Sequence, residues 1–212
     1  MKYTQTYTDI FLKEDIKQCL DELTRDFDNS IINMELCMEQ FLIGLKECKK
    51  KKLNNTLVLW NYAGFINLCA MELKIYLKSI VSSTNEWEMR THIKTSYLLI
   101  HSFYDTYNII QKDYYRLSYH EQIGNNFTND KKDIVASLRH FRKLYLKNIK
   151  IIRNRITAHL NSDMSYHISI METFQLSQTI ETLLEFGNIL NKIGVLLNKE
   201  IKFVMSNLDR IK

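Results

Sequence analysis

Proline is absent from all 212 residues, and glycine occurs only five times. Nothing in the chain therefore forces a break in the backbone, and long helices are favoured over turn-rich β architectures. Cysteine is scarce too: Cys19, Cys37, Cys48 and Cys69 lie far apart, without a C-x-x-C pair or a histidine near enough for a zinc knuckle. Small apolar fillers on helix faces are their expected role, and no metal or other cofactor is expected. Apolar runs stop well short of the roughly 20 residues that span a bilayer. Met1 to Tyr7 lack the charged-then-apolar pattern of a secretory signal. The expectation is a cytoplasmic protein with no membrane partner, in which the glycosylation-like triplets at Asn54 and Asn126 carry no weight. A glycine-rich phosphate loop and an Asp-x-Asp metal pair are also missing, which leaves nucleotidyl transfer without support.

What is present is enough apolar and aromatic material for a substantial core: 45% hydrophobic residues, with 12 Tyr and 10 Phe. Apolar residues recur at three- and four-residue steps almost throughout. The spacing predicts helices over roughly 8–27, 29–50, 55–81, 85–119, 131–158 and 173–208, with residues 164–172 ambiguous. The third is apolar nearly all round, as a central helix must be, and Ala63-Gly64 would let a neighbour approach closely. Lys49 to Lys52 suit the negative end of a helix dipole and read as a solvated helix end. Ser83 and Glu86 have the spacing of a capping box, and Glu121 to Asp130 read as the one convincing loop. The fold expected is all-α: an antiparallel up-and-down bundle of about five to six long helices in a single domain. Residues 1–52 would supply N-terminal helices, a candidate arm, and 53–212 the bundle core.

Charge is unevenly placed. Lys131, Lys132, Arg139, Arg142, Lys143, Lys147, Lys150, Arg153 and Arg155 are accompanied only by Asp133. That segment carries +8 against a total of +5, so the remaining residues sum to −3. A polyanion is the natural partner of such a stripe, with RNA the first candidate. Arg139, Arg142, Lys143, Lys147, Lys150 and Arg155 are the expected RNA-binding residues. The stripe runs into Arg153-Asn154-Arg155-Ile156-Thr157-Ala158-His159. Histidine can give or take a proton near neutral pH, and arginine presents a permanently charged planar fork to a phosphate.

The string Arg153-Asn154 followed five residues later by His159 resembles the signature of the HEPN superfamily, in particular members from bacterial defence and toxin systems. The resemblance rests on about ten residues, with the helical, proline-free context extending it loosely over 55–208. It implies a compact helical bundle that dimerises with two motifs facing one another. It further implies a metal-independent endoribonuclease that uses the 2′-hydroxyl of its RNA as nucleophile. On that pattern Arg153 holds the scissile phosphate, His159 serves as general acid or base, and Asn154 orients one or the other. A cognate antitoxin is a further implied partner. No tyrosine directly follows His159, so the regulation by modification that some toxin members undergo there is not expected.

Helix geometry bears on this assignment. Six residues along a straight helix rotate by about 600°, leaving Arg153 and His159 roughly 120° apart in azimuth and about 9 Å apart in rise. Either the helix ends or distorts near Thr157, or the site is shared across a dimer. Arg155 lies one turn from His159 and competes with Arg153 for the phosphate. Arg142, Leu146, Ile149 and Arg153 share one face of a uniform helix, as a dimer contact grading into a phosphate groove would need. The plainer alternative makes both arginines dipole-compensating cations and His159 a capping side chain. A non-catalytic adaptor binding RNA or an acidic protein through the basic helix is the alternative function. The tyrosines of 104–119 are expected in core and interface rather than stacked on bases.

Overall fold

The computed structural model describes residues 14–115, 127–157, 168–169 and 171–207. Its regular elements are α1 (Glu14–Lys50), α2 (Asn54–Ser82), α3 (Glu86–Tyr115), α4 (Thr128–Phe141), a π-helical turn (Arg142–Leu146), α5 (Lys147–Thr157) and α6 (Leu176–Ser206). Among the described residues there is no strand, and the expected all-α bundle is what the chain forms. α2, apolar on most sides, lies against α1, α3 and α6. Direction alternates along the chain. Tyr62 of α2 meets Tyr107 and Tyr114 of α3 while Phe65 meets Phe103, an antiparallel pairing. Asp130 and Asp133 pair with Lys199 and Lys192, so α4 and α6 are antiparallel.

Leu59, Ile66 and Leu73 of α2, Ile93, Ile100 and Phe103 of α3, and Leu183, Phe186, Leu190 and Ile193 of α6 are all buried. Phe103 is central, stacked on Phe65 at 5.7 Å and meeting Phe186 edge-on at 5.0 Å. Tyr104, Tyr107 and Tyr114 are buried as well, which agrees with their expected place in the core. Cys48 and Cys69 are buried fillers, and burial pushes the Cys69 thiol up to about 12. Cys37 departs from that expectation: it is exposed on the outer side of α1.

The break expected between 27 and 29 does not exist, and α1 runs unbroken through it for 37 residues. Asp28 falls at the expected break, with Asn29 and Ser30 directly after it, but no glycine or proline accompanies them. Two of them instead face α2, where Asp28 pairs with Lys78 and Ser30 accepts a hydrogen bond from Lys74. A polar cluster that caps nothing is thus a set of interhelical contacts.

α1 ends in a Schellman motif. The Leu53 N–H donates to the Cys48 carbonyl at 2.9 Å and the Lys52 N–H to the Lys49 carbonyl at 3.2 Å. Lys52 takes the left-handed position at φ 56°, where glycine is usual. Lys49 to Lys52 are all exposed, in agreement with a solvated helix end.

The capping box at the start of α3 sits two residues later than its sequence reading. Asn85 Oδ1 accepts from the Glu88 N–H at 2.9 Å, and Glu88 accepts from the Thr84 N–H at 3.0 Å. Ser83 donates instead to the Ser79 carbonyl at 2.6 Å, closing α2. Of the expected loop, Thr128 to Asp130 belong to α4, and 121–126 lie outside the described residues.

The close approach of α1 to α2 occurs at Gly44 rather than Gly64. A Cβ on Gly44 would meet the Trp60 ring at 2.7 Å, whereas one on Gly64 would meet Phe41 at an ordinary 3.8 Å. Gly44→Ala should therefore destabilise the protein by about 1–3 kcal/mol despite its better helix propensity. On α6, a Cβ added at Gly194 would find nothing within 4 Å, and Gly194→Ala should stabilise by about 0.5–1 kcal/mol. Urea unfolding of the two variants checks the opposite signs, and a stabilised Gly44→Ala would contradict the close contact.

Candidate nucleic-acid interface

The basic segment is one rod with a fault in it. Ile134, Leu138 and Phe141 of α4 point into the core, and so does Ile149 of α5. Phe141 and Ile149 are eight residues apart, which in a uniform α-helix would part them by about 80°. The π-turn over Arg142–Leu146 absorbs about one residue of rotation, and both side chains end up on the buried side. This overturns the face proposed from uniform spacing. Ile149 is 2% exposed and belongs to the core, Leu146 is half-buried, and Arg142 and Arg153 are exposed.

Arg139, Arg142, Lys143, Lys147, Lys150 and Arg153 are all exposed, on a rod anchored from behind. Tyr104 donates to the Leu138 carbonyl at 3.3 Å, and burial pushes its phenol well above the ordinary range. Tyr145 hydrogen-bonds Glu185, whose carboxylate pushes that phenol up to about 12. The acids of α4 are engaged by α6: Lys192 pairs with Asp133 at 2.9 Å and Lys199 with Asp130 at 2.6 Å. Lys192 also donates to Ser137 at 3.1 Å. Arg139, Lys143, Lys147 and Lys150 form no ion pair among the described residues. An uncompensated cationic surface of that kind attracts a polyanion and releases its counterions on binding.

Lys131 is the exception in the segment. Its side chain is 13% exposed and lies 3.0 Å from Oε1 of the fully buried Glu200. Tyr114 donates to the same carboxylate, and the ammonium sits 5.3 Å from the centre of the Tyr114 ring. Burial still raises the Glu200 carboxyl above its ordinary value, against the lowering effects of Tyr114 and Lys131. Sequence reading counted Lys131 with the surface cations. The missed signal was Glu200, an acid between Leu197 and Val204 on the apolar face of α6.

Arg153 is thus placed on the exposed side of α5. Asn154 and Arg155 lie on the same helix, which extends to Thr157, but their side chains fall outside the description, and His159 lies outside the described residues. Among the described histidines, the His101 Nδ1 lies 3.3 Å from the Asp105 carboxylate and His140 is exposed, while His120 and His167 lie outside the described residues. Among the described residues no group of three or more His, Cys, Asp or Glu is arranged to hold a metal, and no helix is long and apolar enough to cross a membrane.

Beside the cationic rod is a feature that sequence reading did not find. An open groove of about 250 Å³ runs between α3, α5 and the start of α6, lined among others by Tyr97, Tyr145, Asn148, Ile152 and Phe174. Its residues come from three distant stretches, so no local pattern announces it. Comparison with known protein families, curated proteins and solved structures returns no match for this chain.

Proposed function

We propose that this protein is a HEPN-type endoribonuclease that cuts RNA without a metal, as a homodimer, in a bacterial defence, abortive-infection or toxin–antitoxin setting. The observation that carries the reading is the conjunction of an exposed cationic rod with Arg153-Asn154 at its end and His159 five residues further on. In-line attack by a 2′-hydroxyl needs a proton acceptor, a proton donor for the leaving 5′-oxygen, and cationic support for the phosphorane-like state. His159 suits either proton role and Arg153 the charge. A two-fold dimer would bring Arg153 of one chain to His159 of the other, with water taking the second proton role. The exposed lysines and arginines of α4 and α5 would hold the strand, and a cognate antitoxin would restrain the activity.

The test is cleavage of labelled RNA in the presence of a chelator. Wild type should give product and folded His159→Ala none. Cleavage by the variant, or a requirement for Mg²⁺, rules this mechanism out. Salt-sensitive RNA binding with no product from the wild type would instead favour an adaptor using the same cationic face.

A further inference from the structure

We propose that the groove between α3, α5 and the start of α6 is a nucleobase subsite, an inference that rests on the reading of the basic rod as an RNA-binding surface. Its volume of about 250 Å³ is below the roughly 300–1,000 Å³ typical of pockets for drug-sized ligands. That size suits one flat heterocycle entering from the side. The chemistry of the walls suits the same ligand. Tyr97, Tyr145 and Phe174 supply ring surface, with Tyr97 and Phe174 packed edge-on at 5.9 Å.

The phenols of this wall are engaged elsewhere. The Tyr97 hydroxyl is paired with Thr179 at 3.1 Å, and that of Tyr145 with Glu185. Polar recognition therefore falls to the rim, where Asn148, Gln175 and Gln178 are exposed. A side-chain amide presents donor and acceptor side by side, the complement of a base edge. Unstacked bases of single-stranded RNA are read in this way, by an aromatic surface together with edge hydrogen bonds.

The groove is joined to the cationic rod by the helix that forms both. Asn148 and Ile152 line the groove from α5, and Lys147, Lys150 and Arg153 are exposed on the same helix. Arg153 is four residues beyond Ile149, about 6 Å along the helix axis. A base in the groove thus places its backbone beside the cations. The groove would set which nucleotide is held, while the cations hold any strand.

The subsite is tested by fluorescence anisotropy with 2′-O-methyl homo-oligomers of A, G, C and U. These lack the nucleophile of the proposed cleavage, so binding is read independently of catalysis. The wild type should prefer one base. The triple variant Asn148→Ala/Gln175→Ala/Gln178→Ala, altered only at exposed positions, should lose that preference with about a tenfold weaker grip on the preferred oligomer. Its salt dependence should match the wild type, because no phosphate contact is removed. Mononucleotides provide the second arm. Shifts in the Ile151 and Ile152 methyl resonances with the preferred nucleoside monophosphate would place a free nucleotide in the groove as well. Shifts with oligomers alone would confine the subsite to a base within a strand. Unchanged preference and affinity in the triple variant, or no base preference in the wild type, overturns the proposal. An absence of cleavage with base preference intact would remove the ribonuclease reading and leave the subsite standing.

Discussion

Lys131→Met is expected to cost about 3–5 kcal/mol of stability, because it strands a carboxylate inside the protein. Glu200 is fully buried, and its Oε2 has no hydrogen-bond partner among the described residues. Lys131 and Tyr114 meet it on the Oε1 side. With Lys131 gone, the phenol alone opposes the cost of burial. The effect should depend on pH in a defined direction. Burial raises the Glu200 carboxyl above its ordinary value, so the folded state holds that proton more tightly than the unfolded chain. Its contribution to stability is full below the ordinary carboxyl range and declines as pH rises through the raised folded value. Lys131→Met should steepen the decline and carry it to higher pH. Lys131→Met/Glu200→Gln should abolish it and recover most of the lost stability, as paired removal of buried charges often does. Urea unfolding from mildly acidic to mildly alkaline pH distinguishes these curves. Equal pH slopes in wild type and double variant would show that Glu200 is not the group responsible.

The same pair shows where sequence reading stops. Periodicity was enough for α2 and α6, because an apolar stripe at three- and four-residue steps depends only on the helix itself. It was enough to place Tyr104, Tyr107 and Tyr114 in the core. It failed where a residue's role depends on a distant partner. A helix break was expected at residue 28 because nothing local shows that Asp28 and Ser30 meet partners on α2 fifty and forty-four residues away. Lys131 resembled a surface cation because Glu200 lies on another helix. The π-turn leaves no compositional mark, since it resolves a packing conflict between Phe141 and Ile149 that exists only once both meet the core. For the site, local sequence supplied the cationic rod and the Arg153-Asn154 string. The aromatic groove required three separated stretches to come together, and nothing local encodes that.

Arg153→Ala is expected to lower RNA cleavage by about 10²–10³-fold, the usual effect of removing one preorganised donor from a developing anion. Its stability should change by less than about 1 kcal/mol, since Arg153 is exposed on α5. Arg153→Lys retains the charge but not the planar fork, so its activity should lie between the two. The control is Lys143→Ala, a cation on the π-turn away from the Arg153 string. It should weaken binding at all sequences and reduce the salt slope by about one, with turnover at saturating RNA unchanged. Mixing then tests the dimer. If each site takes Arg153 from one chain and His159 from the other, a heterodimer of Arg153→Ala and His159→Ala contains one intact site and one doubly deficient site. Co-refolding the two inactive variants in equal amounts should restore about a quarter of wild-type activity under random two-fold association. If arginine and histidine act within one chain, every site in the mixture lacks one of them and no activity returns. Recovery would thereby answer the difficulty that helix geometry raises at Arg153 and His159, since chain partners need not share a helix face.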